Sequence, residues 1–116
     1  MYPEKKGFEM KKYKELHKQR TGTSFKGYVL TNYKDLIAVF GDPTTLGDDY
    51  KIDVEWIIKT PHGVATIYNY KDGKAYLGAS GLETRQICEW HVGGKTTKSY
   101  DWVKKQISDY QIRCIA

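Results

Sequence analysis

Glu89 and His91 stand two residues apart in a stretch that alternates like a β-strand, so their side chains leave the same face. A carboxylate next to an imidazole is the arrangement of a general base with its orienting partner, or of two metal ligands. Asp53 and Glu55, in another alternating stretch, are the acids a neighbouring strand would bring to such a pair. That is the hydrolase alternative for this chain. It is the weaker one, because polar groups on the exposed side of a half-buried sheet are ordinarily just its wet face. Zinc needs three or four ligands, whereas His17 lies near the N-terminus, His62 at a turn, and Cys88 points away from His91. We therefore expect no metal, no cofactor and no catalytic residues, and a protein that acts by binding.

Gly93-Gly94-Lys95-Thr96-Thr97 resembles the end of a phosphate-binding loop, but the spacing fails. The loop needs a glycine where Glu89 stands, and a carboxylate repels phosphate. Ser99 reads as the N-cap of the next helix, which leaves no helix terminus directly behind the glycines.

The most unusual residues are the pairs Glu55-Trp56 and Glu89-Trp90. Two tryptophans at matching places on neighbouring strands make a wide flat surface, usable as core or as a docking platform. Trp56, Tyr68, Tyr70, Arg85, Glu89, Trp90 and His91 are the candidate partner-binding residues, since Trp, Tyr and Arg dominate binding energy at protein interfaces. Tyr68, Tyr70, Trp90 and Arg85 would equally stack nucleic-acid bases. A second candidate surface is electrostatic. Lys5, Lys6, Lys11, Lys12, Lys14, Lys18 and Arg20 outnumber the acids of residues 1–20 and hold most of the net charge of +5. Basic residues on such an arm neutralise phosphates, or simply keep a protein soluble. The remainder of the chain is close to neutral, which weighs against a continuous phosphate groove.

The elements that must carry these residues follow from pattern. At 116 residues the chain is one domain's worth of core, divided into a basic arm or helix over 1–20 and a single domain over 21–116. No apolar run reaches the length of a membrane span, and residues 1–20 lack the apolar stretch of a secretion signal. Cys88 and Cys114 are expected to be free thiols. Phe25 to Leu30 predicts a strand. Thr31-Asn32 then cap a helix in which Tyr33, Leu36, Ile37 and Phe40 share a face, and Gly41 and Pro43 end it. Ile52 to Lys59 alternates with one wet face, Thr60-Pro61-His62-Gly63 turns, and Val64 to Lys71 returns as a hairpin partner. Arg85 to Val92 predicts a third meander strand ended by Gly93-Gly94. Ser99 to Gln111 predicts a last helix with Tyr100, Val103, Ile107 and Tyr110 on one side. The expected architecture is α+β: an antiparallel sheet of three to four strands, with two helices packed on one face and a basic N-terminal arm. An exposed edge at Phe25 to Leu30 or at Arg85 to Val92 would let two copies pair, so a monomer or a small homo-oligomer is expected.

The blocks Gly22-Thr23-Ser24-Phe25-Lys26-Gly27-Tyr28, Leu36-Ile37-Ala38-Val39-Phe40-Gly41-Asp42-Pro43, Glu55-Trp56-Ile57-Ile58, Ala65-Thr66-Ile67-Tyr68-Asn69-Tyr70-Lys71 and Glu89-Trp90-His91-Val92-Gly93-Gly94 resemble a family of small uncharacterised proteins encoded by bacteriophages and other viruses. The resemblance covers residues 22–105 and leaves the arm outside. It implies a phage accessory protein working in the cytoplasm of an infected cell, with no catalytic residues to carry over. The functional expectation is a binding protein that inhibits or redirects a host protein, defence proteins included. The alternative is a nucleic-acid or nucleotide binder that uses the basic arm and an aromatic sheet face.

Overall fold

The computed structural model describes residues 18, 20–44 and 51–115. Most of residues 1–20, including Lys5, Lys6, Lys11, Lys12 and Lys14, and residues 45–50 lie outside the described residues. The order is β1 (Ser24–Leu30), α1 (Tyr33–Phe40), β2 (Glu55–Thr60), β3 (Gly63–Tyr68), a single turn α2 (Lys74–Leu77), β4 (Glu89–Gly94) and α3 (Thr97–Ile115). The four strands form one antiparallel sheet in the order β1-β4-β3-β2. Helices α1 and α3 pack together on one face of it. This is the α+β architecture the pattern predicts. No helix among the described residues is long and apolar enough to cross a membrane.

The core lies between that face and the two helices. Val29, Trp56, Ile67, Trp90 and Val92 from the strands meet Leu36 of α1 and Val103 and Ile107 of α3. Helix α1 forms where its caps dictate: the Asn32 side chain accepts from the amide of Asp35 at 2.8 Å, and Gly41 ends it with a left-handed φ of 82°. The two indoles hold both ends of this helix. Trp90 Nε1 donates to the Thr31 carbonyl at 3.1 Å, and Trp56 Nε1 to the Gly41 carbonyl at 2.9 Å. Their rings meet edge to face at 5.6 Å, a favoured aromatic geometry.

Several boundaries differ from expectation, each for a local reason. Strand β2 starts at Glu55 and not Ile52, because the amides of Asp53 and Val54 donate to the buried Asn69 side chain and not to a neighbouring strand. Its outer face is not uniformly wet: Glu55 and Ile57 are buried, Glu55 beneath an ion pair with Arg20, and the Ile57 amide donates to Thr44 Oγ1. Strand β4 starts at Glu89 and not Arg85, because Thr84–Gln86 forms a 3₁₀ turn closed by reciprocal Glu83 and Gln86 bonds. Gly93 and Gly94 belong to the strand and do not end it. A Cβ on Gly93 would sit 2.7 Å from Thr66 Oγ1, so the ladder continues only without a side chain there. Helix α3 is capped by Thr96, whose Oγ1 accepts from the Ser99 amide at 3.1 Å; Ser99 is buried inside the first turn. A helix terminus does therefore follow the glycines, yet Glu89 still occupies the place a phosphate loop gives to glycine.

Candidate functional site

On the face opposite α1 and α3, strand register lines up Glu55, Tyr68, His91 and Tyr28 in one row across β2, β3, β4 and β1. A regular strand would put Phe25 and Tyr28 on opposite faces, since they are three residues apart. The ladder of β1 shifts register between Phe25 and Gly27, which carries Phe25 round to the Tyr28 face. Gly27 accommodates the irregularity: a Cβ there would lie 2.5 Å from the Tyr100 hydroxyl packed behind it. The result is a cluster of rings centred on His91. Tyr28, Phe25, Tyr68 and Tyr70 lie 4.8, 5.3, 5.4 and 5.6 Å from the imidazole, and Tyr68 stacks on it. Phe25 and Tyr28 also meet edge to face at 5.1 Å.

The cluster is accessible over β1 and β4. Phe25 and Tyr28 are each 48% exposed, Tyr70 38%, and Leu30 at the end of the same face 72%. Toward β2 the face closes, because Glu55, Ile57 and Thr66 are buried. Arg20 Nη1 lies 2.5 Å from Glu55 Oε1, which neutralises the carboxylate at this border and ties the beginning of the described chain to the sheet. Burial and the Glu55 carboxylate hold the Tyr68 phenol above its ordinary range, with smaller contributions from Tyr70 and Tyr28.

Burial lowers the His91 imidazole below its ordinary value, against the opposing pull of Asp72 and Glu89. The ring is thus neutral near pH 7. Its Nδ1 is buried with no hydrogen-bond partner. A general base is oriented by an acceptor for its second nitrogen, and neither Glu89 nor any other described carboxylate bonds to Nδ1. The acids of the hydrolase alternative are engaged elsewhere: Asp53 accepts from Asn69 Nδ2 and from the Ala75 amide, and Glu55 pairs with Arg20. No group of three or more His, Cys, Asp or Glu among the described residues is placed to hold a metal ion. Cys88 and Cys114 are both free and exposed.

The candidate residues are thus divided. Tyr68, Tyr70, Glu89 and His91 come together on the accessible face. Trp56 and Trp90 do not: at 1% and 0% exposure they are core, because their alternate positions face the helices. They cannot anchor a partner on a folded chain. Arg85 is exposed on the 3₁₀ turn that packs against α1, away from the rings. Of the basic candidates, Lys18 and Arg20 are described, and Arg20 is ion-paired. Phe25 and Tyr28, and Lys51 and Lys71 beside the Tyr70 ring, are not identifiable from strand alternation. Gly27 inside an aromatic strand is the one signal of the irregularity that brings the first two in. Comparison with protein-family models, with characterised proteins and with solved structures returned no match.

Proposed function

We propose that this chain binds single-stranded nucleic acid by stacking bases on the accessible sheet face, with no chemistry of its own. The observation that carries the reading is the convergence of Phe25, Tyr28, Tyr68 and Tyr70 around a neutral His91 on the face the helices leave bare. Every base offers a π-face, so such a surface is sequence-tolerant, and each stacked base contributes roughly 1–3 kcal/mol. Cations adjoin the rings: the Lys51 and Lys71 ammonium groups lie 6.0 and 5.4 Å from the Tyr70 ring. The basic residues that precede Arg20 in sequence add to the same attraction for phosphate. A protein partner held by Trp56 and Trp90 is the less favoured reading, since both rings are enclosed. Through the resemblance to phage-encoded proteins, we place this binding in the cytoplasm of an infected cell, where it would redirect a host process that handles single strands, defence included.

The test is anisotropy titration of labelled single-stranded RNA and DNA of mixed sequence at low salt, with duplex as competitor. We expect both single strands to bind, duplex to compete poorly, and Tyr28→Ala to weaken binding roughly ten- to a hundred-fold with little change in melting temperature. If the intact chain binds neither strand, or if Tyr28→Ala binds like the parent, the reading fails. Loss of a nuclease-resistant host-protein complex on Tyr28→Ala would instead make this face a protein-docking surface.

A further inference from the structure

Helix α3 carries Lys104, Ile107, Ser108 and Gln111 at i, i+3, i+4 and i+7, which puts them in one stripe along the helix. The fold sets that stripe beside the outer edge of β1. Two bonds fasten the helix there about three turns apart. The Tyr100 hydroxyl donates to the Tyr28 carbonyl at 2.8 Å, and Gln111 Nε2 donates to the Leu30 carbonyl at 3.4 Å. Alongside these bonds, the four α3 residues line a groove of about 350 Å³ with Tyr28 and Leu30 of β1. That is the size of a small-molecule site, and so is the make-up, apolar walls with a few polar groups.

Lys104 brings a positive charge to the groove. Its ammonium lies 4.7 Å from the centroid of the Tyr100 ring, and among the described residues no carboxylate pairs with it. A ring positions an ammonium without cancelling its charge. The neighbouring Lys105, by contrast, is paired with Asp109 at 2.9 Å. The edge carbonyls of Tyr28 and Leu30 are already taken by α3, which leaves an extended peptide no acceptors there for strand addition. Tyr28 belongs to both surfaces: its ring packs on His91 in the cluster, and the same residue lines the groove.

We infer, resting on the stacking reading, that the groove between β1 and α3 is a nucleotide subsite, which takes the nucleotide of a single strand next to those stacked on the rings. The strand leaves the platform at Tyr28 and crosses the edge of β1. Lys104 meets its phosphate. The base enters the groove against Leu30 and Ile107, with the Ser108 hydroxyl and the Gln111 amide at its polar edge.

Amide NMR spectra of the full-length chain, recorded as single-stranded DNA of mixed sequence is added, locate the contact directly. Resonances of Lys104, Ser108 and Gln111 are expected to move together with those of Tyr28 and His91. In titrations over a range of salt concentrations, Lys104→Gln should weaken binding about three- to ten-fold at low salt and flatten the slope of log affinity against log salt by roughly 0.7. Lys105→Gln makes the same change of charge outside the groove and should stay within about two-fold of the parent. Ser108→Glu sets a carboxylate one turn from Lys104 and should weaken binding at least as much as Lys104→Gln, by pairing with the ammonium and repelling phosphate. All three positions are exposed, so the melting temperatures should stay near the parent's. Shifts confined to the ring face, Lys104→Gln with parental affinity and slope, or equal losses in Lys104→Gln and Lys105→Gln would each overturn the subsite. With Tyr28→Ala still defective, the platform would then stand without it. A parent chain that binds no strand would remove the platform and the subsite together.

Discussion

His91 occupies the centre of the ring cluster with a buried, unbonded Nδ1, and its protonation is the residue-scale property open to direct measurement. Its folded value lies below the ordinary one of about 6.5, first through burial, with Asp72 and Glu89 opposing. Above that ordinary value both folded and unfolded chains carry a neutral ring, and His91 imposes no penalty. As pH falls below it, the unfolded chain takes up the proton first, so stability is lost until the folded ring is also protonated. We therefore expect the melting temperature to fall between about pH 7.5 and about pH 5.5, and to fall less in His91→Phe, which keeps an aromatic ring and removes the titration. Equal falls in the two proteins, followed by scanning calorimetry, would show that His91 is not the group responsible. At this scale alternation alone points to Tyr68, Tyr70, Glu89 and His91. Phe25 and Tyr28 escape it, because an irregular ladder changes which residues share a face and nothing in the alternation marks where it falls.

Helix α1 shows how one element depends on side chains distant in sequence. Its stripe of Tyr33, Leu36, Ile37 and Phe40 and its Asn32 cap are local, but both of its ends are held by indoles from β2 and β4. Trp56→Phe or Trp90→Phe removes a donor and leaves a carbonyl unpaired beside a small void. Each should cost about 2 kcal/mol, or roughly 8 °C in melting temperature for a chain of this length. Oligonucleotide affinity of the folded protein should be unchanged, since neither ring reaches the accessible face. Parallel thermal melts and titrations separate these effects; a Trp variant that lost affinity but kept stability would contradict the placement of the rings. Edge strand β1 depends on another element in the same way. Its outward carbonyls at Tyr28 and Leu30 accept from the Tyr100 hydroxyl and Gln111 Nε2 of α3, which blunts the edge against pairing with a second copy. The other edge considered from sequence, Arg85 to Val92, does not exist, because β4 lies between β1 and β3.

At the scale of the whole molecule, charge is segregated. The net +5 is concentrated before residue 21, while the folded body brings opposite charges together at Arg20–Glu55, Lys74–Glu83 and Lys105–Asp109. If the basic residues near the N-terminus share in binding, each phosphate they neutralise on a single strand adds roughly 0.7 to the salt slope. Replacing Lys5, Lys6, Lys11, Lys12 and Lys14 by glutamine in the full chain should therefore flatten that slope and weaken low-salt affinity, with the stacking contribution of Tyr28 preserved. An unchanged slope would reduce these lysines to a solubilising role.

The local choices in this chain were open to reading from residues alone. Caps, periodicity and turn residues located α1, the β2–β3 hairpin, the β1 core and the sheet's two helices, because each depends on neighbours within a few positions. The α+β class followed, since these amphipathic elements bury their apolar faces economically only as a sheet covered on one side. What the sequence left undecided was which side of the sheet each aromatic residue would take. Alternation gives relative facing within a strand, whereas absolute facing depends on which face the helices cover and on ladder irregularities. Tertiary packing made Trp56 and Trp90 core and left Phe25, Tyr28 and Tyr70 on the surface. It also joined Arg20 to Glu55 and the Lys71 amide to the Lys51 carbonyl, contacts that arise only when segments distant in sequence come together. The surface proposed to bind is a product of register and packing, and no single segment contains it.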